Sequence, residues 1–197
     1  LMGAEMAYTA KDYEKALHIY KQLKDKAASM ERRQLAKTGM LRSAHMLGNE
    51  EEIIFTATDL LADTKLALEL SNEAHYYRAK AYLDAGKTDG AMEDLKILAK
   101  DTRNVYGAEA KYKVAQIYFD GGQTDKAEQE VLNYIEVSTP HTYWLARSFV
   151  LLADVYMKLG RNLDAKQYLL SLKQNYQADD DIAGMIESRL EKLKTEN

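Results

Sequence analysis

The fold predicted by this 197-residue sequence is all-α, a right-handed α-solenoid of antiparallel helical hairpins, and three observations predict it. Glycines recur at Gly48, Gly86, Gly122 and Gly160, with spacings of 38, 36 and 38 residues. Self-similarity at a fixed period of that size marks stacked repeats. Each glycine also lies between two runs whose apolar residues return every three or four positions, the periodicity of a helix with one buried face. Finally, one proline and ten glycines are too few turn formers for a β protein of this length. A repeat array has no central core to divide, so a single domain over 1–197 is expected.

The clearest unit is 74–98. Ala79 and Tyr82 share a face of its first helix, Gly86 opens the turn, and Ala91, Leu95 and Leu98 share a face of its second. Ala115, Tyr118, Gly122, Ala127, Val131 and Tyr134 repeat the pattern, and Ala153, Tyr156, Gly160, Ala165, Leu169 and Leu172 repeat it again. Units are expected at about 1–25, 29–62, 64–100, 104–136 and 139–175, with a capping helix over 180–195.

In the first unit, Ala4, Ala7 and Tyr8 lie on a short helix, Lys11 and Asp12 make the corner, and Tyr13, Ala16, Tyr20 and Leu23 carry the second helix. Lys11 stands where later units place glycine. A side chain on a left-handed residue costs about 1 kcal/mol or more, so this corner is expected to be strained or built differently. The brevity of the first helix predicts a sequence that starts within, or just after, a longer precursor.

The second unit begins at Ser29, an N-cap residue type, and turns at Gly48-Asn49 before Ile53, Ala57 and Leu60. The third starts near Thr64 and the fourth after Thr102 to Asn104. The fifth starts at Ser138-Thr139-Pro140, with proline expected at the first helical position, and Tyr143-Trp144 place rings near its junction with the fourth. Asp179, Asp180 and Asp181 are expected to face the positive end of the last helix. Its inner face carries Ile182, Met185, Ile186, Leu190 and Leu193. Its outer face carries Glu187, Arg189, Glu191, Lys192 and Lys194, the polar end that a solenoid needs.

Composition excludes several activities. The net charge of −4 is mixed along the chain without a basic stripe, which argues against nucleic acid. There is no cysteine, hence no disulfide, thiolate nucleophile or cysteine zinc site. No run approaches the ~20 apolar residues of a membrane span, so no membrane insertion is expected, and the sequence does not open with a signal-peptide pattern.

His18, His45, His75 and His141 are scattered through the repeats, without metal-ligand spacing, and are expected to be surface or half-buried polar residues. Three adjacent aspartates at 179–181 cap a helix rather than wrap a cation. Tyr82, Tyr118 and Tyr156 are core rings by register. No catalytic constellation emerges, and neither an enzyme nor a cofactor is expected.

The small residue, aromatic, glycine, small residue and two large residues of the third, fourth and fifth units resemble the tetratricopeptide repeat family. The first unit departs at Ala7 and Lys11, and the second at Leu41 and Ile53. The period of 36 to 38 residues exceeds the family's usual 34. With YGAEAKYKVAQIYF in the fourth unit, it is loosely similar to bacterial envelope members that work in the periplasm, which makes periplasm or envelope the expected location.

The resemblance implies that first helices line a concave inner face. Register then assigns to that groove Tyr8, Arg42, Tyr76, Lys80 and Leu83, followed by Tyr112, Gln116, Phe119, Arg147, Asp154, Met157 and Lys158. It also places Glu5, Thr9, Leu35, Thr38, His45, Met46, Glu73, Asp84, Glu109, Asp120 and Val150 there. Aromatic anchors with donors between them suit an extended or helical peptide. The alternative is that these side chains only pack against neighbouring helices. The lysine and asparagine clamp with which some members hold a chaperone's terminal carboxylate is not reproduced, so that partner is not expected.

The function expected is a non-catalytic protein-interaction scaffold, its protein or peptide ligand seated in the groove. The runner-up is an assembly element, a fragment of a longer array or a homo-oligomer formed through the N-terminal hairpin.

Overall fold

The structure is a computed structural model in which residues 1–195 are described. Among them are eleven helices and no strand, the class the sequence predicts. They are α1 (Met2–Thr9), α2 (Tyr13–Lys26), α3 (Met30–Leu47), α4 (Glu50–Leu61), α5 (Leu68–Asp84), α6 (Thr88–Leu98), α7 (Val105–Asp120), α8 (Thr124–Val137), α9 (Thr142–Lys158), α10 (Asn162–Asn175) and α11 (Ile182–Thr195). Contacts divide the chain into two compact units, one over Leu1–Ile97 and one from Leu98 onward.

Each unit has its own core. In the first, Ala4, Ala7, Ala16, Leu17, Tyr20 and Met40 join α1, α2 and α3. Leu41, Ala44, Ile53, Ala57, Leu60, Ala74 and Ala81 then join α3, α4 and α5. Gly39 makes the first packing possible, because a Cβ there would lie 2.3 Å from the Tyr20 ring. In the second unit one cluster runs from Tyr112 to Leu193. Tyr134, fully buried at its centre, donates its hydroxyl to the Ala108 carbonyl at 3.0 Å. Burial pushes this phenol up to about 12.

One device closes all five hairpins. At the corner glycines φ is +67° to +79°, and the N–H after each reaches the carbonyl five residues back: Asn49 to Ala44, Lys87 to Tyr82, Gln123 to Tyr118 and Arg161 to Tyr156. This is the Schellman arrangement, which satisfies carbonyls that a helix end leaves free. Lys11 adopts the same geometry at φ +62°, with Asp12 N–H donating to Ala7. The strained corner expected there is the one observed. Asp12, Ser29, Asn49 and Asn104 then cap the following helices by accepting from backbone N–H groups two or three residues on.

Four local expectations need correction. Pro140 is not the first helical residue, since α9 starts at Thr142. A crosslink holds the chain extended before it: Thr102 Oγ1 donates to the Ser138 carbonyl, Thr139 Oγ1 donates to the Thr102 carbonyl, and Ser138 sits at φ +64°, ψ 179°. Only Asp180 caps α11, accepting from Ile182 N–H at 2.9 Å, whereas Asp181 accepts from the Tyr143 hydroxyl. Arg189 is not on an outward polar face, because its guanidinium forks onto Asp154 of α9 at 2.7 and 2.9 Å. Tyr82 and Tyr118 are half-buried, and only Tyr156 is fully in the core.

A buried polar cluster staples α5 to α6. Asp94, 1% exposed, accepts two bonds from Arg78 at 2.7 and 2.9 Å and lies 2.7 Å from His75 Nδ1. Arg78 also donates to Thr58 of α4. Burial raises the Asp94 carboxyl, but the hydrogen bonds from His75 and Arg78 outweigh it and hold the carboxyl below its usual value.

Gly86→Ala and Gly122→Ala are each expected to cost about 1 kcal/mol. Lys11→Gly is expected to stabilise by less than about 1 kcal/mol, since glycine's freedom in the unfolded chain offsets part of the relieved strain; urea midpoints read all three. Asp94→Ala leaves the partly buried Arg78 guanidinium without its carboxylate and is expected to cost about 3 kcal/mol. Because the folded carboxyl is depressed, its stabilisation is complete above the unfolded value and is lost as pH falls through the folded one. Acid titration of Asp94→Asn should therefore show a shallower loss of stability than the wild type.

Candidate partner-binding faces

In the first unit α1, α3 and α5 present residues to a shared cavity of about 310 Å³. Glu5, Tyr8, Leu35, Thr38, Arg42 and Leu70 line it. Leu35 is 53% exposed, so its side chain is available at the wall. Arg42 lies at the edge with both its Nε and Nη2 on the Glu73 carboxylate, at 2.6 and 2.9 Å. The Glu73 hydrogen bond raises the Arg42 pKa against the effect of burial. Tyr8 packs edge-on to Tyr13, and burial raises its phenol.

Further along α5, Lys80 Nζ lies over the Tyr76 ring at 5.1 Å and donates to its hydroxyl at 3.3 Å. Leu83 is half-buried on the same helix, and His45 stacks on Tyr77 at 4.4 Å. Desolvation lowers the His45 pKa.

The second unit has a denser network. Tyr112 was expected as an exposed anchor, yet it is buried to 6% exposure. Its ring is 5.7 Å from Trp144 and 4.9 Å from the Arg147 guanidinium. Its hydroxyl accepts from Arg147 Nη2 and donates to Gln116, which passes a bond to Asp120. Arg147 Nη1 donates to the Tyr143 hydroxyl, which donates to Asp181. Burial raises the Tyr112 phenol, and Arg147 only partly offsets it.

Asp154, also expected to face a partner, is paired with Arg189 instead. Lys158 Nζ lies 5.2 Å over the Phe119 ring, and Phe119 and Met157 are half-buried against the core.

The two units therefore bring the assigned residues together unequally. Arg42, Asp154 and Tyr112 are used within the chain, whereas Tyr8, Tyr76, Lys80, Leu83, Phe119, Met157 and Lys158 keep part of their surface. Leu70 was missed. Its spacing from Glu73 and Tyr76, three and six residues, is the available sequence signal. The Arg189 pairing had no signal, because a basic residue on a terminal helix reads as solvent-facing.

No described helix is long and apolar enough to cross a membrane. As a test of the α9–α11 contact, Arg189→Ala should leave Asp154 half-buried without its cation and loosen α11. The expected result is faster amide exchange over 182–195 with exchange in α7 unchanged.

Comparison with known proteins agrees with this architecture. Residues 73–101 and 146–174 each match a tetratricopeptide repeat family profile. No curated protein matches the sequence. Among solved structures, one of MamA is 19% identical, covers 98% of this chain and 97% of its own, and has a TM-score of 0.67. The nearly identical TPR-like repeats of a Podosopora anserina putative kinesin light chain are 18% identical over 87% of this chain and 90% of theirs, with a TM-score of 0.61. A tetratricopeptide repeat protein from Parabacteroides merdae is 16% identical over 98% and 90%, with a TM-score of 0.58. At such identities the likeness speaks for fold alone. The repeats at 73–101 and 146–174 contain the α5–α6 and α9–α10 corners, so these two hairpins are tetratricopeptide repeats, and the neighbours share the hairpin fold over most of the chain.

Proposed function

We propose that this chain is a non-catalytic scaffold that binds a peptide or partner helix on the inner faces of its first helices. The observation that carries this reading is the cavity bounded by Tyr8, Leu35, Thr38, Arg42 and Leu70, an apolar wall with hydrogen-bonding groups at its edge. Such a site suits one bulky apolar side chain of a partner, with polar groups fixing its register. Lys80 and Arg147 extend the same chemistry within their own units. Each is a cation held over aromatic rings. A periplasmic or envelope location in a bacterium is part of this proposal and rests on the repeat spacing of 36 to 38 residues.

A second reading, assembly through the N-terminal hairpin, is favoured by α1, where Met2 is 75% and Met6 67% exposed. Affinity capture with the wild type beside Leu35→Glu, Tyr76→Ala separates the two. Tyr112 is unsuitable for this purpose because its truncation would open the core. A protein retained by the wild type and lost by the double variant is the expected result, and that protein's compartment tests the location. Identical captures would sink the groove reading. A loss confined to Met2→Ser, Met6→Ser would favour assembly.

A further inference from the structure

A second surface is independent of the inner faces. Between α10 and α11 lies an open groove of about 410 Å³. Leu163, Leu170, Leu190 and Leu193 form its apolar wall, and Lys166 and Lys173 stand among them. Leu163 is 71% exposed, more than any other leucine of the second unit. Leu163, Lys166 and Leu170 are spaced three and four residues apart, which puts all three on one stripe of α10. Four leucines on two adjacent helices form a hole of the kind that accepts a single large side chain from a third helix.

The complementary surface is on α4. Phe55 is 63% exposed, the most exposed aromatic side chain among the described residues. One exposed apolar residue is ordinary on a protein surface. What distinguishes this one is its flank: Glu51, Glu52 and Asp59 lie three or four positions away and surround the ring with carboxylates. Glu52 is engaged by Lys21 and Asp59 by Lys37. In the groove Lys173 is engaged by Glu187. Glu51 and Lys166, by contrast, are both exposed and have no ion-pair partner among the described residues. An apolar knob beside a free carboxylate thus matches an apolar hole beside a free ammonium.

We infer that a second copy of this chain docks its α4 into the α10–α11 groove, with Phe55 among the four leucines and Glu51 paired to Lys166. The contact is heterologous, joining two different patches of the same chain, so it can add copies successively.

Sedimentation velocity of the full chain over a wide concentration series tests this. The wild type is expected to show a sedimentation coefficient that rises with concentration, and less steeply in high salt. Phe55→Ser, and Leu163→Ser with Leu170→Ser, should each hold the coefficient at the monomer value, with the Phe55→Ser melt unchanged because that ring is largely exposed and the leucine variant's melt lowered only slightly because Leu170 is 45% exposed. Glu51→Lys and Lys166→Glu should each weaken association, and the two together should restore it.

A wild type that stays monomeric throughout would overturn the inference. So would association insensitive to Phe55→Ser, a double charge reversal that fails to rescue, or a loss seen only with Met2→Ser, Met6→Ser. The first three outcomes leave peptide capture by the inner faces untouched, whereas the last would favour assembly through the N-terminal hairpin.

Discussion

Every hairpin in this chain depends on one backbone residue held in the left-handed region. Four are glycines and the fifth is Lys11, and at each the next N–H closes back onto a carbonyl five residues earlier. That closure fixes the direction in which the second helix leaves. The small residues on either side, Ala44 and Ala57, Ala79 and Ala91, Ala115 and Ala127, Ala153 and Ala165, are then nearly fully buried. Their small volume lets the paired helices approach closely, and the large residues one turn further on fill the remaining space. Without the left-handed corner, none of the alanines would face its partner.

The charged residues of the first helices follow a second shared logic. Arg42 of α3 grips Glu73 of α5, Arg147 of α9 binds the Tyr112 hydroxyl of α7, and Arg189 of α11 grips Asp154 of α9. In each case a guanidinium links one first helix to the next, with α11 standing in the place of a further first helix. Arginine suits this position because its planar fork reaches two acceptors at once and remains charged when half-buried. The polar component of the inner faces is therefore largely structural. Aromatic and aliphatic side chains make up most of the surface these residues leave exposed.

Buried polarity also holds hairpins together internally. Asp94 with His75 and Arg78 serves α5 and α6, and Lys111 with Glu130 and Asn133 serves α7 and α8. Such clusters contribute modest net stability when intact, since desolvation opposes the attraction, but are costly to break. They constrain how one helix sits on the next within a hairpin, which packing of small alanines alone leaves looser.

The sequence by itself determined the helices, their pairing and their corners. Periodicity and left-handed glycines are local properties, and Lys11 was legible as an exception for the same reason. Ser29 as a cap and Ala79, Ala91, Ala115 and Ala127 as core were legible from spacing alone. The fate of each polar group on the inner faces was decided only in the tertiary structure. Tyr112 and Arg42 look alike in register to Tyr76 and Lys80, yet whether such a residue stays open depends on what a helix some thirty residues away presents to it. Arg189 shows this most clearly, because a charge on a terminal helix reads as solvent-facing until Asp154 is placed beneath it. Local periodicity encodes the scaffold, while long-range charge pairing decides which part of its surface remains available.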